Sequence, residues 1–260
     1  MRKPRDSRWP EREAVAVPDD FTLARRSAMR WNAPLDERHA ALLLDRLDVT
    51  GGTVADLGSG WGELLIRAVE GTPARGIAVD TDEVALERGR RAARERGAAV
   101  EFIEQDAASW LGPADRAICI GASHAFGGTR QALAALAGVT DRLLYGDGCW
   151  TGEPTPAAEA IFGDEVLALP DLLEACRETG WRVLHLSTAD QCEWDDFEST
   201  SRAGRLNWLL ANPADPRAAE TRDWLDTRER EYVTAYRGVL GFAYLVLVSS
   251  APASPRRRDR

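Results

Sequence analysis

Residues 53–63 read TVADLGSGWGE, an apolar run followed by three closely spaced glycines, Gly58, Gly60 and Gly62. A short apolar run predicts a β-strand, and glycines directly after it predict a tight turn into a helix. Such a turn offers backbone N–H groups to a ligand and favours an anionic group near Gly60. The stretch therefore predicts the first ligand-binding unit of an open α/β sheet.

The glycine spacing separates this loop from the dinucleotide fingerprint. That fingerprint needs G-x-G-x-x-G, in which the third glycine lets the helix pack closely on the strand. Here the glycines run G-x-G-x-G, and Glu63 stands at the position of the third glycine. A carboxylate would satisfy this loop as well as a phosphate, so the spacing alone leaves the ligand open.

Strands and helices alternate along the chain with short connections, which is typical of a doubly wound parallel sheet. The predicted strands cover residues 53–57, 74–80, 99–106, 115–121, 141–148, 181–187 and 238–250. The predicted helices cover residues 21–30, 36–47, 63–70, 82–97, 129–137 and 170–179.

The alternation of single strands and helices ends near residue 190. Residues 191–238 read as helical, interrupted at 212–216, before the last apolar strand. Two strands joined through about fifty helical residues predict an antiparallel hairpin whose connection forms a cap. The fold class is α/β, with a seven-stranded, mostly parallel sheet, an antiparallel last strand, N-terminal helices and this helical cap.

The domain organisation follows from composition. Residues 21–250 are expected to form a single domain that includes the cap. The polar, proline-punctuated residues 1–20 predict a flexible leader, and the basic residues 251–260 predict a disordered tail.

Two acids follow the next strands in register with the glycine loop. Asp80 ends the second strand, twenty residues after Gly60, and Asp106 ends the third, next to the small Ala107. Because ligands of open sheets bind beyond the carboxyl ends of the strands, these acids are expected beside the loop, where Asp80 can accept hydrogen bonds from a ribose. A ligand with a carboxylate, an unmodified ribose and a flat base fits, and S-adenosylmethionine has all three.

At these positions the sequence resembles the class I S-adenosylmethionine-dependent methyltransferases, by motif over about residues 35–150 and by topology elsewhere. The matching segments are VADLGSGWGELLIRAVE (54–70), GIAVDTDEVALERGRRAA (76–93), VEFIEQDAASW (100–110) and RAICIGASHAFGG (116–128). The resemblance implies S-adenosylmethionine as the cofactor and the following residues around it. They are Asp56, Gly58, Ser59 and Gly60 for the methionine moiety, Asp80 and Thr81 for the ribose, Asp106 and Ala107 for the adenine, and Gly121 beside the sulfonium methyl.

The segment after the fourth strand departs from one branch of that family. Methyltransferases that act on DNA bases or protein amides carry an Asn/Asp-Pro-Pro-aromatic motif there, whereas this chain has GASHAFGG at 121–128. The small-molecule branches are therefore the closer match. His124 in this segment is a candidate base or substrate-orienting group, because histidine is the residue type that commonly serves as a general base near neutral pH. The alternative is a histidine bonded to backbone in a structured loop.

Aromatic and acidic residues near the expected methyl group predict an acceptor pocket. Trp31, Trp150, Glu153 and Trp194 are the candidates, and aromatic faces with carboxylates suit an amine or another cationic nucleophile. The alternative for the acids near Trp194 is a favourable charge at a helix start. No motif names the acceptor.

Composition limits the remaining classes. A net charge of −9 disfavours nucleic acid and anionic lipid as partners, and four widely spaced cysteines without C-x-x-C predict no metal site. The N-terminus offers neither a signal segment nor a membrane span, so a cytoplasmic enzyme with a small-molecule substrate is expected. Two alternatives stay open: an NAD-type oxidoreductase, disfavoured by Glu63, and a non-catalytic S-adenosylmethionine-binding protein, disfavoured by the intact acids.

Overall fold

The computed structural model describes residues 19–110 and 112–250. The predicted tail at 251–260, and residues 1–18 of the predicted leader, lie outside the described residues.

The described residues contain eight strands. They are β1 (Thr53–Leu57), β2 (Arg75–Asp80), β3 (Val100–Glu104), β4 (Arg116–Ile120), β5 (Arg142–Trp150), β6 (Leu167–Ala168), β7 (Trp181–Thr188) and β8 (Leu240–Ser249). The α-helices are α1 (Asp20–Ala24), α2 (Glu37–Leu47), α3 (Glu63–Val69), α4 (Glu83–Arg96), α5 (Thr129–Leu136), α6 (Pro156–Phe162), α7 (Leu169–Glu178), α8 (Gln191–Ala211) and α9 (Ala218–Glu231). A π-helical turn, Tyr232–Tyr236, continues α9.

The strands form one sheet in the order β3-β2-β1-β4-β5-β8-β7. The first five pair in parallel, whereas β8 runs antiparallel to both β5 and β7. This confirms the predicted fold class, including the antiparallel last strand. The chain crosses from β1 outward to β3 and then returns to β4, so the ends of β1 and β4 mark the switch point at which open sheets bind ligands.

Three elements differ from the sequence expectations. β6 adds a two-residue strand beside the end of β5, too short to show a hydrophobic period. α6 was not predicted and begins at Pro156, with the Thr155 hydroxyl accepting from Ala158 N. The first helix, expected over 21–30, ends at Ala24, because Arg88 binds the carbonyl oxygens of Arg26 and Met29 and holds the chain in another path.

Apolar side chains cover both faces of the sheet. One face packs on α2 and α3 through residues such as Leu43, Leu47 and Leu65, and the other packs on α5 and α7 through residues such as Leu133 and Leu172. Within the described part of the chain, no group of three or more His, Cys, Asp or Glu side chains is placed to hold a metal ion. None of the described helices has the length and apolarity needed to cross a bilayer.

The cap lies between β7 and β8, as predicted. It begins with a capping box, in which Asp190 accepts from Glu193 N while Glu193 accepts from Asp190 N. Helix α1 lies directly against α8 at Gly204. The backbones approach so closely there that a Cβ atom at Gly204 would stand 1.9 Å from the carbonyl oxygen of Ala24. The N-terminal helix therefore packs on the first helix of the cap.

Candidate active site

The glycine loop joins β1 to α3 at the switch point. Gly58, Gly60 and Gly62 have φ values of 79°, 55° and 65°, in the left-handed region that favours glycine. Space also requires glycine at 58, because a Cβ atom there would lie 2.2 Å from Cβ of Ala122 in the segment after β4. The loop therefore packs backbone to side chain against that segment.

Asp80 holds this loop from the end of β2. Its Oδ2 accepts the backbone N–H of Gly60 at 2.6 Å, and its Oδ1 accepts the N–H of Asp82 at 2.9 Å. The N–H of Gly60, expected to face an anionic group of the ligand, thus donates to a carboxylate of the protein itself. Each Asp80 oxygen keeps a further lone pair, which is what two ribose hydroxyls need.

Asp56 is the buried acid beneath the loop. Its side chain is 5% exposed and accepts no hydrogen bond from any other residue in the described ranges. Burial, and secondly the negative charge of Asp80, raise the pKa of Asp56 to about 8. A buried carboxylate without a donor is costly unless a cation pairs with it. The residue is therefore suited to pair with a cationic group of a ligand.

A small cavity of about 60 Å³ opens in front of Asp56. Gly58 and Ser59 of the glycine loop line it, together with Ile118 and Ile120 of β4. The cavity has room for a few water molecules and is narrower than a complete adenosyl group.

The segment before α2 forms the roof of this cavity through Trp31 and Asn32. Three contacts hold the roof. The indole N–H of Trp61 donates to Arg30 O at 2.9 Å, the Tyr244 hydroxyl donates to Pro34 O at 2.8 Å, and the Arg67 guanidinium lies 4.6 Å from the Trp31 ring centre. The roof is thus fixed to both the glycine loop and the sheet.

The other predicted cofactor residues lie along the same edge of the sheet. Asp106 caps a short 3₁₀ turn, accepting from Ala108 N at 3.3 Å and from the Ser109 hydroxyl at 2.8 Å. Ala107 in that turn is buried, Thr81 is exposed, and Gly121 donates its N–H to Gly146 O at 2.8 Å. The strand order places the ends of β3, β2, β1 and β4 side by side, so these residues follow one another along the edge of the sheet that carries the glycine loop.

His124 lies in a 3₁₀ turn, Ser123–Phe126, and is exposed. It lines a separate cavity of about 390 Å³ together with Thr129 and Glu165. The structure therefore does not bring His124 into the Asp56 cavity, and its catalytic role stays a prediction.

Three of the predicted acceptor residues share one apolar cluster. Trp31, Trp150 and Trp194 are all buried in it, and the indole N–H of Trp194 has no acceptor among the described residues. Trp150 packs edge-on against Phe162 at 6.0 Å between ring centres. Glu153, by contrast, is exposed on the connection after β5.

Asn32, Ile118 and Ile120 also line the Asp56 cavity, although the sequence motifs did not predict them. The alternation of Ile118 and Ile120 in β4 was a usable signal, since residues two apart share a face of a strand. Asn32 had no such signal, because its position depends on how the segment before α2 folds back over the loop.

Comparisons with known proteins agree with this geometry. The family described as "Methyltransferase domain" matches residues 54–143, the part of the chain that contains β1 to β4 and the start of β5. The uncharacterized protein YjhP of Escherichia coli (strain K12) is 31% identical over 246 residues, covering 90% of this chain and 99% of YjhP.

Two solved structures with bound S-adenosylhomocysteine are similar over nearly their whole length. A methyltransferase from Thiobacillus denitrificans is 31% identical, with a TM-score of 0.81, covering 90% of this chain and 100% of that one. A methyltransferase from Geobacter sulfurreducens is 29% identical, with a TM-score of 0.80, covering 90% of this chain and 98% of that one. Both are described as S-adenosylmethionine-dependent methyltransferases.

Proposed function

The chain belongs to the S-adenosylmethionine-dependent methyltransferases, and we propose that its acceptor is a small molecule, such as an amine or a natural-product intermediate. The membership removes the NAD-type oxidoreductase from consideration. The observation that supports our placement of the cofactor is the buried carboxyl group of Asp56 beside the glycine loop, which has no hydrogen-bond donor among the described residues.

We assign the cofactor contacts from this geometry. When bound, S-adenosylmethionine supplies an electrophilic methyl group on a sulfonium. Asp56 would pair with its ammonium group, and Asp80 would accept the ribose hydroxyls while keeping Gly60 in place. Gly58, Ser59, Thr81, Asp106, Ala107 and Gly121 complete the proposed cofactor-binding set.

The acceptor side of the site has to align a nucleophile and exclude water. The roof that carries Trp31, fixed to Trp61 and Tyr244 through Arg30 and Pro34, supports water exclusion. Trp31, which lines the Asp56 cavity, is a proposed contact of an amine, since aromatic faces attract cations. Trp150 and Trp194, buried in the same apolar cluster, stay proposed contacts. Glu153 and His124 stay proposed contacts with the acceptor.

A small-molecule acceptor is also supported by what the chain lacks after β4. The GASHAFGG segment contains no Asn/Asp-Pro-Pro-aromatic motif for flipped bases or protein amides. We therefore do not propose a nucleic acid as the methyl acceptor. The cytoplasmic location remains a prediction.

Calorimetry with S-adenosylmethionine, S-adenosylhomocysteine and NAD, followed by a screen of small amines with methyl-labelled cofactor, tests this proposal. Binding of the two adenosyl ligands and label transfer to an amine are expected. Transfer only to protein or nucleic acid would contradict the small-molecule assignment. In the same assay, a His124→Gln variant with unchanged turnover would remove His124 from the mechanism.

A further inference from the structure

A cavity of about 460 Å³ lies between α1, the segment after it and the first half of α4. Four arginines line it, Arg25, Arg26, Arg88 and Arg91, whereas Asp82 is the one acid among its described lining residues. The chain as a whole carries a net charge of −9, so the lining of this cavity is opposite in sign to the overall charge of the protein.

Among the residues that the structure describes, one of these four arginines forms an ion pair. Arg26 forms an ion pair with Asp82 at 2.7 Å. Arg88 donates to Arg26 O at 2.8 Å and to Met29 O, and its guanidinium stacks 4.1 Å from the Trp61 ring centre. Glu63 attracts Arg88 electrostatically but forms no hydrogen bond with it. Arg25 and Arg91 form no hydrogen bond or ion pair with any residue in the described ranges. Within residues 19–110 and 112–250, three arginines of the cavity therefore form no ion pair with a carboxylate.

Arg25 also lines an adjoining cavity of about 200 Å³, together with Arg205, Arg217 and one acid, Glu220. The Arg205 guanidinium lies 3.7 Å from the Trp224 ring centre. Burial, followed by the positive charges of Arg25, Arg26 and Arg228, lowers the pKa of Arg205 to about 10. Like charges held together in this way are unfavourable unless an anion joins them.

We propose that the larger cavity binds a phosphate group carried by the methyl acceptor. Guanidinium groups are planar forks that bind phosphate oxygens in pairs, and arginine suits such sites better than lysine. The arginines surround a concave space rather than an open face, which fits a small molecule better than a polymer.

The link to the acceptor comes from Trp61, which lines both this cavity and the Asp56 cavity. In this proposal, a molecule held by its phosphate beside Arg88 reaches the Asp56 cavity past Trp61, the lining residue that the two cavities share. This part of the inference rests on the proposed small-molecule methyl transfer, whereas the phosphate site itself does not.

The phosphate site is tested by calorimetry of the full chain with inorganic phosphate and pyrophosphate, at an ionic strength held constant with sodium chloride. Saturable binding is expected, weakened at least about tenfold in Arg25→Ala and in Arg91→Ala, since each removes a charge-assisted contact. Arg94→Ala is the matched control, because Arg94 lies on the same helix outside the cavity and pairs weakly with Glu87 at 3.5 Å.

Two results would overturn the phosphate site. One is that phosphate binds no better than chloride. The other is that Arg94→Ala weakens phosphate binding as much as Arg91→Ala does. Unchanged binding of S-adenosylhomocysteine by each variant shows that the fold and the cofactor site are intact.

The link to the acceptor is tested with pairs of amines that differ only by a phosphomonoester. The phosphorylated member is expected to have a lower KM, and Arg91→Ala should raise that KM about tenfold with little change in kcat. Equal KM values for both members would overturn the acceptor assignment. If phosphate binds but S-adenosylhomocysteine does not, the proposed methyl transfer fails while the phosphate site stands.

Discussion

The carboxylate of Asp80 lies 2.6 Å from the backbone nitrogen of Gly60, so the acid after β2 fixes the glycine loop after β1. The same carboxylate accepts from Asp82 N, at the start of α4. One side chain therefore sets the relative position of two ligand-binding turns before any ligand arrives.

Replacing Asp80 by Ala should weaken S-adenosylhomocysteine binding by on the order of 1.5–3 kcal/mol, the range for lost hydrogen bonds to a charged group. The loss combines the ribose contacts with the freed N–H of Gly60. Calorimetry measures it, with Asp115→Ala as a control, because Asp115 accepts from Thr53 N at the opposite end of β1. An unchanged affinity in Asp80→Ala would remove Asp80 from the ribose.

Binding of S-adenosylhomocysteine should release a proton from Asp56. The pKa of Asp56 is about 8 without a cation, so the group is mostly protonated at pH 7. An ammonium partner favours the carboxylate, which lowers the pKa, and affinity should therefore rise between pH 6 and 8. Calorimetry in two buffers with different ionisation enthalpies gives the proton count. Asp56→Asn should bind more weakly and release no proton from this site; a wild-type count of zero at pH 7 would contradict the pairing.

Asp56 should also make the ligand-free protein less stable as pH rises. The pKa of Asp56 in the folded protein, about 8, lies above its unfolded value. Asp56 therefore costs no stability below about pH 4, and its ionisation lowers the free energy of unfolding progressively up to pH 8. The slope has an upper limit of about 1.4 kcal/mol per pH unit. Asp56→Asn lacks this loss, and its advantage in urea unfolding should grow from pH 5 to pH 8. A constant difference across that range would show that Asp56 does not titrate there.

Gly58→Ala should destabilise the protein by more than Gly97→Ala does. Both glycines have positive φ, 79° and 64°, but a Cβ at 58 meets Ala122 at 2.2 Å, whereas a Cβ at 97 meets nothing within 4 Å. The shared backbone cost is about 1 kcal/mol, and the contact at 58 should add about 1–3 kcal/mol. Equal urea midpoints for the two variants would mean that the segment after β4 moves away from residue 58 at little cost in free energy.

Arg228→Ala should destabilise the cap by about 2–4 kcal/mol, because it leaves a buried charge unpaired. Glu198 is fully buried and binds the Arg228 guanidinium at 2.7 and 3.1 Å, with the Tyr236 hydroxyl at 2.9 Å. Arg177→Ala breaks an exposed pair with Glu174 and should cost less than about 0.5 kcal/mol. Thermal unfolding compares the two, and similar shifts would show that water already screens Glu198.

Short-range signals predicted the sheet because strand runs, glycine spacing and helix periods are local. The same signals placed Asp56, Asp80 and Asp106 at strand ends, which the strand order then aligned. They did not predict that Asp80 would use the Gly60 N–H, because that bond depends on how two turns meet. The early end of α1 and the arginine cavity were equally out of reach, since Arg88 contacts residues about sixty positions away along the chain.

The cap leaves and re-enters the sheet at neighbouring positions. Thr188, the last residue of β7, pairs with Ala243 of β8, and Ala189 N donates to Phe242 O at 2.9 Å. The free energy of closing a loop between two such fixed ends depends only weakly on loop length. Insertions, deletions or wholesale exchange of α8 and α9 can therefore occur without disturbing the register of the sheet. Because Trp194 of α8 is a proposed acceptor contact, exchange of this connection is expected to change the acceptor while leaving the glycine loop, Asp56 and Asp80 in place.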